Sequence, residues 1–124
     1  MTSDWRRFCR TKRYSVDGDV VTVALHDGRT QQVRVVDEGD EWRFEARVGR
    51  RGVTLERAEL RLITWRRNRT TDLVGFRLDA RERVCGEARL AREGSDVDEF
   101  RLMLDTVALE SDRFEMMLTG KDIE

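Results

Sequence analysis

The spacing of apolar residues changes along this chain from strand-like alternation to helical periodicity and back. Successive residues fall into two alternating sets: Val21, Val23 and Leu25 against Val20, Thr22 and Ala24, and Gln31, Val33 and Val35 against Gln32, Arg34 and Val36. Apolar and charged side chains alternate without a break through 42–48. This is the two-residue period of strands with one buried and one solvated face. Short glycine-containing segments at 26–29 and 37–40 separate them. The pattern predicts an antiparallel meander of three strands.

The second half of the chain predicts a hairpin followed by one long helix. The hairpin strands are Leu73–Asp79 and Arg83–Leu90, and the helix covers 96–118. Its apolar stripe consists of Val97, Phe100, Leu104, Val107, Phe114 and Leu118, with Ser111 at the remaining stripe position. Steps of three and four residues place this stripe on one helical face, so we expect it to pack against the sheet.

A shorter helix is predicted between the meander and the hairpin. Its apolar positions Leu55, Ala58, Leu62 and Trp65 are again three or four apart, and Leu60 and Ile63 widen this stripe. Asn68 can end the helix. The orientation of Trp65 is left open by the pattern. Facing the sheet, it would belong to the core; facing outward, it would be a natural interface anchor.

The N-terminus allows two predictions. Trp5, Phe8 and Cys9 have helical spacing, which favours a short basic helix over 4–12. A strand over 10–16, turning at 17–18 into the first meander strand, fits nearly as well. The whole chain, 1–124, is therefore predicted to be a single α+β domain. We expect an antiparallel sheet of about five strands with helices packed on it, in the order α(?)-β-β-β-α-β-β-α.

Charge is abundant but nearly balanced. Charged residues make up 40% of the 124 residues, hydrophobic residues 39%, and the net charge is −1. This balance argues against nucleic acid or an acidic membrane as an obligate partner. Residues 1–70 carry 16 basic and 11 acidic side chains, a net of +5, whereas 71–124 carry 8 and 14, a net of −6. The two halves can be faces of one domain, or a seam for dimerisation or for a basic partner segment.

The sequence offers little for catalysis or metal binding. His26 is the only histidine, in a predicted turn, and Cys9 and Cys85 stand apart from it and from each other. A structural zinc site uses about four such ligands, and no glycine-rich phosphate loop is present. We therefore predict no catalytic residue, no cofactor and no metal. Isolated cysteines and the lack of a targeting or membrane segment predict two free thiols and a cytoplasmic location.

A cluster of arginines lies on and after the predicted middle helix: Arg57 and Arg61 are four apart on the helix, and Arg66, Arg67 and Arg69 are at its end. Positive charge there complements the C-terminal end of the helix dipole. The cluster could also bind an acidic segment of a partner. Contact with a nucleic-acid backbone is a third alternative, although no recognition motif accompanies it.

Several short segments resemble the type III secretion chaperone-like family, including its YbjN-like members. They are Asp27-Gly28-Arg29-x-Gln31-x-Val33-x-Val35, Trp65-x-x-Asn68, Gly75-Phe76-x-Leu78-Asp79, Glu87-Ala88-x-Leu90 and Glu99-Phe100. The likeness covers roughly 16–119. It implies a homodimer without catalytic residues, formed largely through the middle helix and neighbouring strands. Such a dimer would hold an extended segment of another protein against hydrophobic patches on the sheet.

The functional hypothesis is a non-enzymatic, dimeric protein-binding module. Its expected partner or dimer interface comprises Leu55, Leu62, Trp65, Arg66, Arg67 and Arg69. The expected client is a protein with an amphipathic segment, sequestered by the sheet and the helix that contains Trp65. The alternative is a regulatory nucleic-acid-binding protein that uses the cluster between Arg57 and Arg69.

Overall fold

Six strands form one antiparallel sheet on which two helices pack. The computed structural model describes residues 4–48, 57–69, 73–81 and 83–119. The strands are β1 (Tyr14–Asp17), β2 (Val20–Ala24), β3 (Thr30–Asp37), β4 (Glu41–Val48), β5 (Gly75–Leu78) and β6 (Val84–Ala91). The helices are α1 (Arg57–Asn68) and α2 (Val97–Thr119). The predicted α+β class is confirmed, with one strand more than the expected number.

The strand order places α1 beside the last edge of the sheet. Neighbours run β1-β2-β3-β4-β6-β5, and every pair is antiparallel. The first four strands are the meander. Strand β6 pairs with β4 along its full length, from Glu41 opposite Ala91 to Val48 opposite Val84. Strand β5 is therefore outermost, and it is the strand that α1 contacts.

The N-terminus combines parts of both sequence predictions. A short 3-10 helix, Trp5–Cys9, ends well before residue 12, and β1 follows as a strand paired with β2. Asp4 caps the helix by accepting a hydrogen bond from the backbone N–H of Arg6 at 3.0 Å. Beyond residue 13 the backbone pairs with β2 instead, from Tyr14 opposite Val23 to Asp17 opposite Val20.

Helix α2 covers one face of the sheet. Phe100, Leu104, Val107 and Phe114 are fully buried, which confirms the predicted stripe. The helix is capped by Asp96, whose carboxylate accepts a hydrogen bond from the backbone N–H of Glu99 at 2.9 Å. Neither helix in the described part of the chain is both long and apolar enough to cross a bilayer.

Helix α1 is fastened to the sheet edge by one side chain. The Asn68 amide donates a hydrogen bond to the backbone carbonyl of Phe76 at 2.7 Å and accepts one from its N–H at 2.6 Å. Both backbone groups belong to the edge strand β5. The amide thus supplies the pair of bonds that a neighbouring strand would otherwise make.

Candidate functional site

The face of α1 that packs against the rest of the protein is not the one that contains Leu62 and Trp65. Leu60 and Thr64, four residues apart, are buried with exposed fractions of 8% and 5%. Ile63 and Arg67 are half-buried on the same side. The buried face therefore runs through positions 60, 64 and 67, and the opposite face is left to solvent.

The outward face carries two large apolar side chains. Leu62 and Trp65 retain 46% and 58% of their accessible surface. They are three residues apart and therefore neighbours on the helix surface. The Arg69 guanidinium lies 5.2 Å from the centroid of the Trp65 ring. Trp65 is thus not part of the core, and its orientation is the one expected of an interface anchor.

The arginine cluster is divided between the two faces. Arg66 and Arg69 are exposed beside Trp65. Arg67 instead points inward: its NH2 group lies 3.5 Å from the Glu110 carboxylate, and its guanidinium lies 5.8 Å from the Phe114 ring centroid.

Among the predicted interface residues that the structure describes, Leu62, Trp65, Arg66 and Arg69 share the outward surface, and Arg67 does not. Leu55 lies outside the described residues, as does the side chain of Arg57. Nucleic-acid binding by this cluster stays a prediction.

A groove lies between the far half of α2, the turn after β2 and the end of α1. It encloses about 680 Å³. Its lining comprises Leu25, His26, Arg29, Arg67, Leu109, Glu110, Asp112, Arg113, Met116 and Met117. Four of these side chains are apolar and six are charged or titratable, so the lining is mixed.

One buried ion pair fixes this groove. The Arg29 guanidinium donates to both carboxylate oxygens of Asp112, with distances between 2.7 and 3.2 Å. The Asp112 side chain is only 9% exposed. A bidentate pair of this kind is geometrically specific, so it holds the turn at 26–28 against α2.

The candidate catalytic groups are not assembled into a reactive site. His26 is exposed at the rim of the groove, and none of the described side chains lining the groove is a serine, threonine or cysteine. Cys9 and Cys85 are free. Burial raises the pKa of the Cys9 thiol to about 11, which keeps it protonated and unreactive at neutral pH. The described residues contain no group of three or more His, Cys, Asp or Glu side chains able to hold a metal ion.

The face of the sheet that points away from α2 carries a network of ion pairs. At its centre Arg43 contacts Glu38, Glu45 and Glu87 at 2.9–3.8 Å. Arg89 contacts Glu41 at 2.6 Å beside them. A polar surface of this kind does not offer the hydrophobic patches that the family resemblance implied for the sheet. Among the described residues, the exposed large apolar side chains are Leu62, Trp65 and Leu102 on the helices and Leu73 just before β5.

Sequence reasoning missed the groove. Its key pair, Arg29 and Asp112, is separated by 83 positions in the chain. One local signal was present, because Leu109 and Met116 are seven residues apart and outside the main α2 stripe. That spacing marks a second apolar line on the helix, which lies beside the turn at His26.

Comparisons with known proteins identify the fold. No family model and no curated protein matches the sequence. Among solved structures, the chain is similar to one in the heterodimeric ExoU-SpcU complex from the type III secretion system of Pseudomonas aeruginosa. The TM-score is 0.56 and the identity 16%, over 94% of this chain and 93% of that one. It is also similar to a chain of the ExsC-ExsE complex, with a TM-score of 0.56 and 16% identity over 84% of this chain and 80% of that one. The chain therefore has a type III secretion chaperone-like fold, while its likeness to YbjN-like proteins stays a prediction.

Proposed function

We propose that this chain is a non-enzymatic binding module that self-associates through the outward face of α1 and holds an extended segment of a partner protein. The observation that carries the proposal is the exposure of Leu62 and Trp65 side by side on one helical face. The structural neighbours support a partner-binding role, since both are complexes of two different proteins.

A second copy of the chain is the occupant that suits this face best. Trp65 supplies a large rigid contact area, and Arg66 and Arg69 flank it as a polar rim. Anchors of this type are the residues that dominate interface energies. On this proposal the partner segment binds elsewhere on each copy.

Self-association should depend on the two apolar side chains. Replacing both Leu62 and Trp65 by aspartate is expected to weaken the dimer about a hundredfold or more, because the loss of a buried aromatic anchor alone costs about 2 kcal/mol or more. Sedimentation equilibrium over a range of concentrations measures this change. Both side chains face solvent in the free chain, so its thermal unfolding should change little.

The matched control is Leu102→Asp. Leu102 is 57% exposed on α2, so this variant introduces a negative charge, one for each Asp substitution as in the double variant, at an apolar site away from α1. It should associate as the unmodified chain does. An unmodified chain that stays monomeric at micromolar concentration, or a double variant with unchanged association, contradicts the proposed interface.

The partner-binding half of the proposal needs its own test. The tagged chain is purified from its native host after nuclease treatment, and the retained protein is identified by mass spectrometry. We expect one partner in stoichiometric amount, with a segment that rebinds the purified chain when made as a peptide. Recovery of the chain without a protein partner, with nucleic acid in the material that the nuclease releases, argues against the proposal. A partner that binds only as a folded domain does so too.

A further inference from the structure

We propose that the groove between α2 and the turn at His26 receives a protein segment in which bulky apolar residues alternate with carboxylates. This inference rests on the proposed function, because it assigns the partner segment a place and a chemistry. It concerns a surface separate from the outward face of α1.

The apolar part of the groove lining suits bulky side chains of varied shape. Leu25, Leu109, Met116 and Met117 are all half-buried, so each keeps apolar surface that a partner can cover. Two adjacent methionines add adaptability, since the thioether chain is unbranched and polarisable. The volume of about 680 Å³ falls within the range of roughly 300–1,000 Å³ that is typical of ligand pockets.

The charged residues of the groove lining favour an acidic partner segment. The groove is lined by three guanidinium groups and two carboxylates, a net of +1 with His26 neutral. Asp112 is fully engaged by Arg29. Glu110 is shared by Arg67 at 3.5 Å and Arg113 at 3.3 Å, and both distances are long for ion pairs.

Arg113 is the group placed to receive an incoming carboxylate. Its side chain is 58% exposed, and it lines the groove from the same helix as Leu109, Met116 and Met117. A carboxylate arriving there relieves the sharing of Glu110 and can form a bidentate contact. A basic segment would instead bring positive charge to a wall whose carboxylates already have partners, which disfavours it.

The groove is also preorganised. The buried pair of Arg29 and Asp112 joins the turn to α2, and the contact of Arg67 with Phe114 joins α1 to the same helix. Walls that are already fixed lose little conformational entropy on binding.

The test uses two capped pentapeptides, one alternating leucine with glutamate and the other leucine with lysine. Methyl-labelled methionine reports the site by NMR, because Met116 and Met117 line the groove whereas Met103 lies nearer the start of α2. We expect the acidic peptide to shift the Met116 and Met117 signals and leave Met103 unchanged. The basic peptide should cause no saturable shift.

Variants of Arg113 decide the role of charge. Arg113→Glu should weaken the acidic peptide about tenfold or more, since a charge-assisted contact is replaced by repulsion, whereas Arg113→Lys should retain most of the affinity. Arg10→Glu makes the same charge change at an exposed position outside the groove and should bind normally. Equal binding of both peptides, or an unchanged affinity in Arg113→Glu, overturns the inference.

Two further results separate this inference from the proposals around it. A variant ending after Thr119 should bind the acidic peptide as the full chain does; much tighter binding would mean that the chain's own last residues compete for the groove, and would overturn a partner as the occupant. Arg113→Glu should still self-associate. In the unmodified chain, the absence of a shift with the acidic peptide together with intact self-association contradicts only this inference. Peptide shifts without self-association contradict only the α1 interface.

Discussion

Replacing Phe100 by alanine is expected to lower the free energy of unfolding by about 3–5 kcal/mol, the range for removing a fully buried aromatic ring. Phe100 is completely inaccessible to solvent. Its ring centroid lies 5.0–5.9 Å from those of Trp5, Phe8, Trp42 and Phe44. Phe100 on α2 therefore packs against both the N-terminal 3-10 helix and strand β4. Its removal opens a cavity between these three elements, and no single one of them can fill it.

Urea-induced unfolding followed by far-UV circular dichroism measures the loss. The control is Phe100→Leu, which keeps most of the volume and should cost clearly less, because cavity volume sets much of the penalty. A cost below about 1 kcal/mol for the alanine variant would contradict the central place of Phe100 in the core, since that is far below the usual range for a buried ring.

The second large effect is expected at Gly86, where α2 passes close to strand β6. A Cβ atom at this position would lie 2.6 Å from the Ser111 hydroxyl and 2.9 Å from the Phe76 ring. Both neighbours are buried, with exposed fractions of 0% and 3%. Gly86→Ala should therefore destabilise the protein by about 2–3 kcal/mol, the upper part of the range for overpacking a core.

Substitution of Ser111 separates the two contacts that crowd Gly86. The Ser111 hydroxyl is buried, and it has no hydrogen-bond partner within the described ranges. Ser111→Ala should thus be nearly neutral alone, and it should recover about 1 kcal/mol when combined with Gly86→Ala, a coupling typical of residues in contact. Gly75→Ala is the matched control, because its added methyl group meets no described atom within 4 Å. Equal costs at both glycines would show that the close approach of α2 is not what Gly86 provides.

The long elements could be predicted from the sequence because their signals are local. The meander strands and α2 have one buried face each, and alternation or helical spacing marks that face directly. Helix α2 begins at Val97, one residue from the expected start, since Asp96 is a strong cap.

The orientation of α1 could not be predicted in this way. Its apolar spacing defines a stripe through Leu62 and Trp65, but the pattern does not say whether the chain itself or another molecule covers that stripe. The structure places Leu60 and Thr64 inward instead, because the Asn68 bonds to β5 fix how the helix is rotated. The buried Thr64 hydroxyl keeps a hydrogen bond, because it donates to the Leu60 backbone carbonyl at 2.7 Å.

The groove could not be predicted from the sequence, for a different reason. Its walls come from the turn after β2, the end of α1 and the far half of α2. No local window of sequence contains these three segments together. Only the topology, which brings the start of β3 beneath α2, makes neighbours of Arg29 and Asp112.

The two hydrogen bonds between Asn68 and Phe76 make the two edges of the sheet unequal for the addition of another strand. A foreign strand arriving at β5 must displace the Asn68 amide, and so loosen the end of the helix that displays Leu62 and Trp65. Extension of the sheet at that edge and pairing of two copies through α1 would then compete for the same few residues. A strand added beside β1, at the far edge, would leave α1 seated and both events compatible.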